Sequence, residues 1–484
     1  DRTWAPDPGG AVNSSSAGAT RPGIAFEAAP PVVPASPHPY WTLDRVARAL
    51  GTGPSSPRRL SGVSTDTRSL VTGDLFVALV GERFDAHDML AQARDAGAAA
   101  LVVSNANKAA GVGLPAFVVP DTLVALGQLA SAWRRAWGRS VIAVAGSNGK
   151  TSTKDLLNAA LGRTLSVHAT RGNLNNLVGV PLSLLAIPSH ADIAVIELGT
   201  NAPGEVARLR AIVGPDVAVL TSIGEEHLEG LGDLGGVLRE ECDVFDGVTL
   251  AVVPADLPDV AAAAGERARA VVRAGLTDGD VLADAWGLDD EGRPWIMFEG
   301  VRFELPLRGA HQAANAMLAI ATARACGVAV TDAAAGMAAM PVPHMRGVWE
   351  PLGRAILIND AYNANPPSMR AALDLLGRVG HARQRVAVLG SMRELGAHSA
   401  AQHAAIARVA LASSAELIAG VGDFAAPLSA LAEGDPRVVT AEQFDDLWPA
   451  LQPRLAHDAV ILLKASRGMQ LERLVPFLAA WATP

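Results

Sequence analysis

The run Gly146-Ser147-Asn148-Gly149-Lys150-Thr151-Ser152 follows directly on an apolar stretch, Val141 to Ala145. A short apolar run that stops at glycine reads as a buried parallel strand, and the residues from Thr151 onward read as a helix. A glycine loop between strand and helix turns backbone N–H groups and a helix N-terminus toward phosphate oxygens. Lys150 is then expected on the outer phosphates of ATP, and the Thr151 hydroxyl on Mg²⁺. The long form of this loop would need a glycine at position 144, where valine stands, so the loop is a compact variant. The preceding strand and the Gly-Lys-Thr end favour a phosphate site over an ordinary glycine turn. Lysine is scarce in this chain: Lys108, Lys150, Lys154 and Lys464 are the only ones, and the other cationic positions are Arg or His. The bland reading of that bias is codon usage toward Arg. A lysine kept at the loop suits a compact point charge between phosphate oxygens, which the forked guanidinium fits poorly.

Other polar residues fall where apolar runs end. Glu197 closes Ala194-Val-Ile-Glu197, and His227 lies in Gly224-Glu-Glu-His227-Leu-Glu229. Asn359-Asp360-Ala-Tyr362-Asn363-Ala-Asn365-Pro366 and Lys464-Ala-Ser466-Arg467-Gly468 form two further loops. Each has a bland reading by itself: a surface acid, a loop histidine, an Asx-rich helix cap, a solvated turn. Together they lie where open parallel sheets bind ligands, beyond the carboxyl ends of the strands.

The elements that must hold these groups are legible as alternating apolar runs and helical faces. The chain has 484 residues, too many for one ordinary core. It is half hydrophobic, with 18% charged and 4% aromatic residues, so its cores rest on Ala, Val and Leu. The net charge of −9 argues against nucleic acid as the main partner. No apolar run is long enough to span a bilayer, and no secretory leader is expected. Two cysteines, Cys242 and Cys326, are too few for a zinc cluster and read as reduced thiols. The expected fold class is α/β with three domains. Residues 1–40, rich in Pro, Ser, Ala and Gly, read as a disordered tail. Residues 41–122 form a small α/β unit, residues 123–342 a central P-loop parallel sheet, and residues 343–484 a Rossmann-like layer. Strands are expected at 141–145, 191–198, 217–221 and 250–254, then at 354–358, 385–389, 417–421 and 458–464.

Taken in order, these segments resemble the Mur ligases of peptidoglycan synthesis over about residues 41–484. The resemblance rests on Asp66-Thr67-Arg68 with Gly73-Asp-Leu-Phe, Gly81-Glu-Arg-Phe-Asp-Ala-His87 and the phosphate loop. It continues through Gly172-Asn173-Leu-Asn-Asn176, Glu197 to Glu205, His227-Leu-Glu, His311 with Asn315, Arg346-Gly, Asp360 to Pro366, and Lys464 to Gly468. It implies ATP and Mg²⁺ as cofactors, and UDP-N-acetylmuramoyl-tripeptide and D-alanyl-D-alanine as the substrates joined. Asp66, Thr67 and Arg68 would lie at the uridine end, and Asn173, Asn176, Tyr362, Asn363, Asn365, Ser466 and Arg467 would meet substrate. Gly146 to Ser152, with Asn315, Arg346 and Asp360, would bind the nucleotide. Lys150, Glu197, His227 and Lys464 would be catalytic, and Thr151, Glu197, His227 and Glu241 would surround metal. A cytoplasmic monomer is expected.

The chain departs from the family in places. Many Mur ligases carry a carbamylated lysine after the His-Leu-Glu motif, whereas Val237 to Phe245 contains none. Glu241 aligns there, so Glu241, or Glu240 beside it, is expected to supply the carboxylate for a second Mg²⁺. Ser391 stands where the family usually has Asp, and Leu177 replaces a usual acid. Two alternatives stay open: another Mur or folylpolyglutamate-type ligase, and a degenerate P-loop protein that binds ATP without ligation.

Overall fold

The computed structural model describes residues 2–4, 24–26, 40–81, 84–342, 347–380 and 382–483. The expected tail therefore lies almost wholly outside the described residues; within it, Arg2–Trp4 pairs antiparallel with Ile24–Phe26.

Three parallel or mostly parallel sheets follow one another along the chain. The first has four parallel strands, Val63–Ser64, Leu75–Val77, Ala100–Val103 and Ala116–Val118, in sequence order. Helix Thr122–Trp137 packs on it, started by Asp121, whose carboxylate accepts the Leu123 and Val124 N–H groups.

The second sheet has seven parallel strands. Their spatial order is Val281–Leu282, Val271–Gly275, Leu250–Pro254, Val217–Leu220, Ser140–Ala145, Ile193–Glu197, Val167–Ala169. Every residue of Leu250–Pro254, Val217–Leu220 and Ile193–Glu197 is buried, as expected for strands covered on both faces. The chain leaves Ser140–Ala145 toward one edge and returns to its other side at Val217–Leu220. The order thus reverses beside the strand that carries the phosphate loop, which opens a crevice at its carboxyl end.

One sheet was not anticipated. Ala285–Leu288, Pro294–Phe298 and Val301–Glu304 form an antiparallel meander. Its inward residues Ile296, Phe298 and Phe303 join the core beneath helix Ala310–Ala325. That helix ends at Cys326, followed by Gly327 at φ 78°.

The third sheet runs Val348–Leu352, Ala355–Asp360, Val460–Lys464, Arg385–Gly390, Leu417–Val421, Val438–Ala441. Only the first strand is antiparallel. Register puts Lys464 opposite both Asp360 and Leu389, so three carboxyl ends meet at one edge. Among the described residues no helix is long and apolar enough to cross a membrane.

Candidate functional site

The phosphate loop starts at Gly146 with φ 116°, where any Cβ would come 2.8 Å from Thr221 N and 2.9 Å from Ser222 N. Only glycine lets the loop pass that close to the neighbouring strand end. The first three N–H groups point inward: Gly146 donates to Glu241 Oε2 (2.7 Å), Ser147 to Ser222 O (2.8 Å) and Asn148 to Ser222 Oγ (2.8 Å). Buried backbone donors must be paired, and these are. Of the cradle expected from loop N–H groups and the helix N-terminus together, these three donors are held by protein acceptors in this structure. The anion site that remains is the first turn of helix Lys150–Leu161, whose N-cap Gly149 provides no side-chain cap. A Cβ on Gly149 would sit 2.8 Å from the Asn315 amide, so helix Ala310–Ala325 closes one side of this turn. Asn315 donates to Gln312 Oε1 (3.2 Å), and Gln312 reaches Ser152 Oγ at 3.5 Å.

Lys150 folds back over its own loop. Its ammonium donates to Gly146 O, to Ser147 O (3.1 Å) and to Glu226 Oε1 (3.4 Å). Burial alone would lower its pKa, but the charges of Glu226, Glu241 and Glu197 outweigh that and raise it. One lysine thus faces three acids that are at most 5% exposed. Glu226 is a site residue the sequence reading missed. The doubled acid ahead of His227, in a loop after a buried strand, was the available signal.

The residues expected around metal divide into separate groups. Thr151 Oγ1 donates to Glu197 Oε1 (3.2 Å), which also accepts from Asn175 Nδ2 (2.9 Å). Glu197 Oε2 is buried without a hydrogen-bond partner. Glu241 lies beneath the loop with Oε2 on Gly146 and with Oε1 buried and unpartnered. Burial pushes its pKa up to about 7, against the pull of Lys150. His227 sits apart, with Nδ1 2.5 Å from Glu394 Oε2 and Nε2 3.9 Å from Glu226 Oε2. Burial would lower the imidazole pKa, yet the neighbouring carboxylates of Glu394 and Glu226 raise it. Among the described residues no three His, Cys, Asp or Glu side chains converge as a metal cluster.

Glu240, the alternative to Glu241, is spent elsewhere. It accepts from Gly204 N (2.6 Å), Val206 N (2.8 Å) and Thr200 Oγ1 (3.0 Å). It caps helix Glu205–Val213, whose own N-cap Gly204 has no side chain to do so. The asparagines of the 172–176 run also divide. Asn176 Oδ1 accepts Val178 N and Gly179 N and so starts helix Gly179–Leu185. Asn175, not singled out by sequence, is the one that reaches Glu197. Among the described residues, no hydrogen bond of the exposed Asn173 side chain reaches the loop.

The third sheet brings its strand-end loops over the phosphate loop. Asn365 caps helix Pro366–Arg378 through a capping box and donates its amide to Asn148 Oδ1 at 2.9 Å. Gly224, beside the loop, faces Pro367, which a Cβ would approach to 2.8 Å. Lys464 Nζ pairs with Asp360 Oδ2 at 2.6 Å, so Asp360 is engaged by lysine in this state. Ser466 Oγ accepts Arg393 N (2.9 Å), Asn363 Oδ1 accepts Ala364 N (2.9 Å), and Arg467 pairs with Glu472 (2.6 Å). Tyr362 packs against the hydrophobic core of the third domain. In the first domain Arg68 binds Asp66 through two nitrogens and holds its carboxyl down at about 2, with Thr67 buried beside them. Among the described residues, no hydrogen bond links these three to the phosphate loop. Arg346 lies outside the described residues.

Three family models match along the chain: the Mur ligase family catalytic domain over residues 59–134, the Mur ligase middle domain over 144–323, and the Mur ligase glutamate ligase domain over 348–467. A UDP-N-acetylmuramoyl-tripeptide–D-alanyl-D-alanine ligase from Bacillus subtilis is 36% identical over 428 residues, covering 86% of this chain and 92% of that protein. A MurF crystal structure from Acinetobacter baumannii superposes with a TM-score of 0.83 at 31% identity, over 91% of this chain and 99% of that one. A MurF ligase from Thermotoga maritima, solved in complex with ADP, gives a TM-score of 0.76 at 26% identity, over 87% of this chain and 97% of that one. With matches of that length across all three sheets, and a phosphate loop overhung by the strand ends of the third, the chain belongs to the Mur ligase family.

Proposed function

We propose that the chain joins D-alanyl-D-alanine to UDP-N-acetylmuramoyl-tripeptide at the expense of ATP, as a cytoplasmic monomer in peptidoglycan precursor synthesis. The observation that carries this reading is the contact of the third domain with the phosphate loop, Asn365 Nδ2 to Asn148 Oδ1. A protein that only bound or hydrolysed ATP would not need a second strand-end cluster over its phosphates. A ligase does, because a carboxylate is a poor electrophile and must be activated beside the amine that attacks it.

The chemistry follows from the groups present. The tripeptide's terminal carboxylate attacks the γ-phosphorus of ATP, ADP leaves, and an acyl phosphate forms. The dipeptide amine adds to its carbonyl, and the tetrahedral intermediate collapses with loss of phosphate. The uncapped first turn of Lys150–Leu161 and the Lys150 ammonium stabilise charge on the transferring phosphoryl group. For that, Lys150 must exchange its present carbonyl and Glu226 contacts for phosphate oxygens. Closure of the third domain over the loop would keep water from the acyl phosphate.

Magnesium fits the oxygen donors present. Glu197 Oε2 is buried and without a partner, and the Thr151 hydroxyl shares the same carboxylate. These two would hold one ion, and Glu241 Oε1, likewise unpartnered, would serve a second. Bound Mg²⁺ supplies charge neutralisation at the β- and γ-phosphates. His227, between Glu226 and Glu394, would contribute to the same metal-binding group. Asp66, Thr67 and Arg68 serve the UDP end.

The test is ADP release with UDP-N-acetylmuramoyl-tripeptide and a panel of amines, with the product identified by mass. Release dependent on D-alanyl-D-alanine, and a product heavier by the dipeptide minus water, supports the reading. Release with glutamate, or with no amine dependence at all, overturns it.

A further inference from the structure

Of the four lysines, Lys150 and Lys464 stand at the proposed site, and Lys108 pairs with Asp85 and Asp88 in the first domain. Lys154 has no role so far, yet it is only 5% exposed inside the middle domain. A buried ammonium needs acceptors for its protons. Its Nζ donates to Thr170 O at 3.0 Å and pairs with Asp155 Oδ1 at 2.7 Å.

Lys154 follows Thr151 by three residues on helix Lys150–Leu161, so the two share a face. Both side chains reach the same side of the sheet. Thr151 meets the Glu197 carboxylate, and Lys154 meets the Thr170 carbonyl just beyond edge strand Val167–Ala169. The helix is fixed from behind by helix Val330–Ala338, where a Cβ on Gly336 would come 2.1 Å from Ala159 O.

Thr170, 2% exposed, is the joint between this helix and Glu197. Its N–H donates to Val195 O at 3.0 Å, and its Oγ1 accepts the Glu197 N–H at 3.0 Å. Its carbonyl is the atom that Lys154 holds. From Thr170 the chain turns through Arg171 to Asn175, with Leu174 N on Arg171 O (3.3 Å) and Asn175 N on Asn173 O (2.8 Å). The turn delivers Asn175 Nδ2 to Glu197 Oε1. One carbonyl clamp therefore stands behind both the backbone that carries Glu197 and the loop that orients its carboxylate.

We propose that Lys154 is a positioning residue for the Mg²⁺ site, holding Glu197 in aim at Thr151 through Thr170. The proposal rests on the reading of Thr151 and Glu197 as Mg²⁺ ligands and adds the residue that sets their separation. Loss of a support behind a ligand lowers metal affinity by about tenfold to a hundredfold. Methionine at position 154 keeps a long apolar stem and buries no charge, and Asp155, whose side chain is 27% exposed, keeps its water.

The experiment is calorimetric titration of ADP, with and without Mg²⁺, into the full chain and its K154M, K154R, T170V and E197Q variants. K154M should weaken Mg·ADP about tenfold or more and leave Mg²⁺-free ADP binding unchanged. K154R, which keeps a cation and its donors, should recover part of the loss. T170V keeps the carbonyl but strips the acceptor from Glu197 N–H, so it should show the same selective loss. The double variant K154M/T170V should fall short of the summed effects, because both act on one joint. Unchanged Mg·ADP affinity in K154M, or equal losses with and without Mg²⁺, would overturn the proposal. Should K154M fail to fold, T170V decides by the same two criteria. If E197Q loses the Mg²⁺ effect while K154M and T170V keep it, the positioning role falls and the ligand reading stands. If E197Q keeps the Mg²⁺ effect in full, both fall.

Discussion

Glu240→Ala and Glu241→Ala remove neighbouring buried acids, and the structure requires that they fail differently. Glu240 satisfies two backbone donors at the start of helix Glu205–Val213 and a threonine hydroxyl. Each buried donor left without a partner costs about 1–3 kcal/mol, so Glu240→Ala should lower stability by roughly 2–5 kcal/mol. That is a large share of the 5–15 kcal/mol typical of a folded domain. Affinity for Mg·ADP, measured on the molecules that remain folded, should not change.

Glu241→Ala orphans only the Gly146 N–H, again about 1–3 kcal/mol. It also removes a carboxyl whose ionisation burial opposes. The span from the ordinary 4.5 to about 7 corresponds to roughly 3 kcal/mol. The sign is that of a raised acid: the folded state holds the proton more tightly than the unfolded chain. The favourable contribution is therefore full below pH 4.5, is lost as pH rises to about 7, and is flat above. At pH 8 the two effects of Glu241→Ala nearly offset each other, whereas at pH 5 the variant should be less stable than the wild type. Its affinity for Mg·ADP should fall at pH 8. Urea unfolding at both pH values, with calorimetric titration of Mg·ADP, separates the two variants. If Glu240→Ala weakened Mg·ADP at unchanged stability, or if Glu241→Ala bound it like the wild type, the assignment of cap and ligand would be wrong.

Three further outcomes are expected. Asn365→Asp keeps an oxygen to cap helix Pro366–Arg378 but loses the amide that reaches Asn148, so kcat should drop while the melting temperature stays within a few degrees. Asn175→Ala removes the donor that orients Glu197 and should weaken Mg·ADP about tenfold, read by calorimetry, with folding intact by circular dichroism. The thiol of Cys242 is pushed up to about 12 by burial, so it should ignore a thiol reagent at pH 8 in the folded protein and react in urea.

The sequence by itself determined the elements whose evidence is contiguous. Leu250–Pro254 and Leu417–Val421 stand at the bounds their apolar patterns imply. The phosphate loop was legible because strand, glycines, lysine and helix start adjoin in one short run. The meander at 285–304 escaped, because its short alternating strands are read only with their turns at Gly292 and Gly300.

What the tertiary structure decided is which polar atom is already spent. Glu240 and Glu241 are equal acids in sequence. One points to a helix start 34–36 residues away and the other to a glycine 95 residues away. Asn175 and Asn176 differ by one position, and only the first faces Glu197. Lys150 is the expected cation, yet its partner Glu226 was not foreseen. Local patterns set what a residue is able to do. Hydrogen-bond valence and burial, fixed by contacts tens of residues distant, set which of those capacities is left for a ligand.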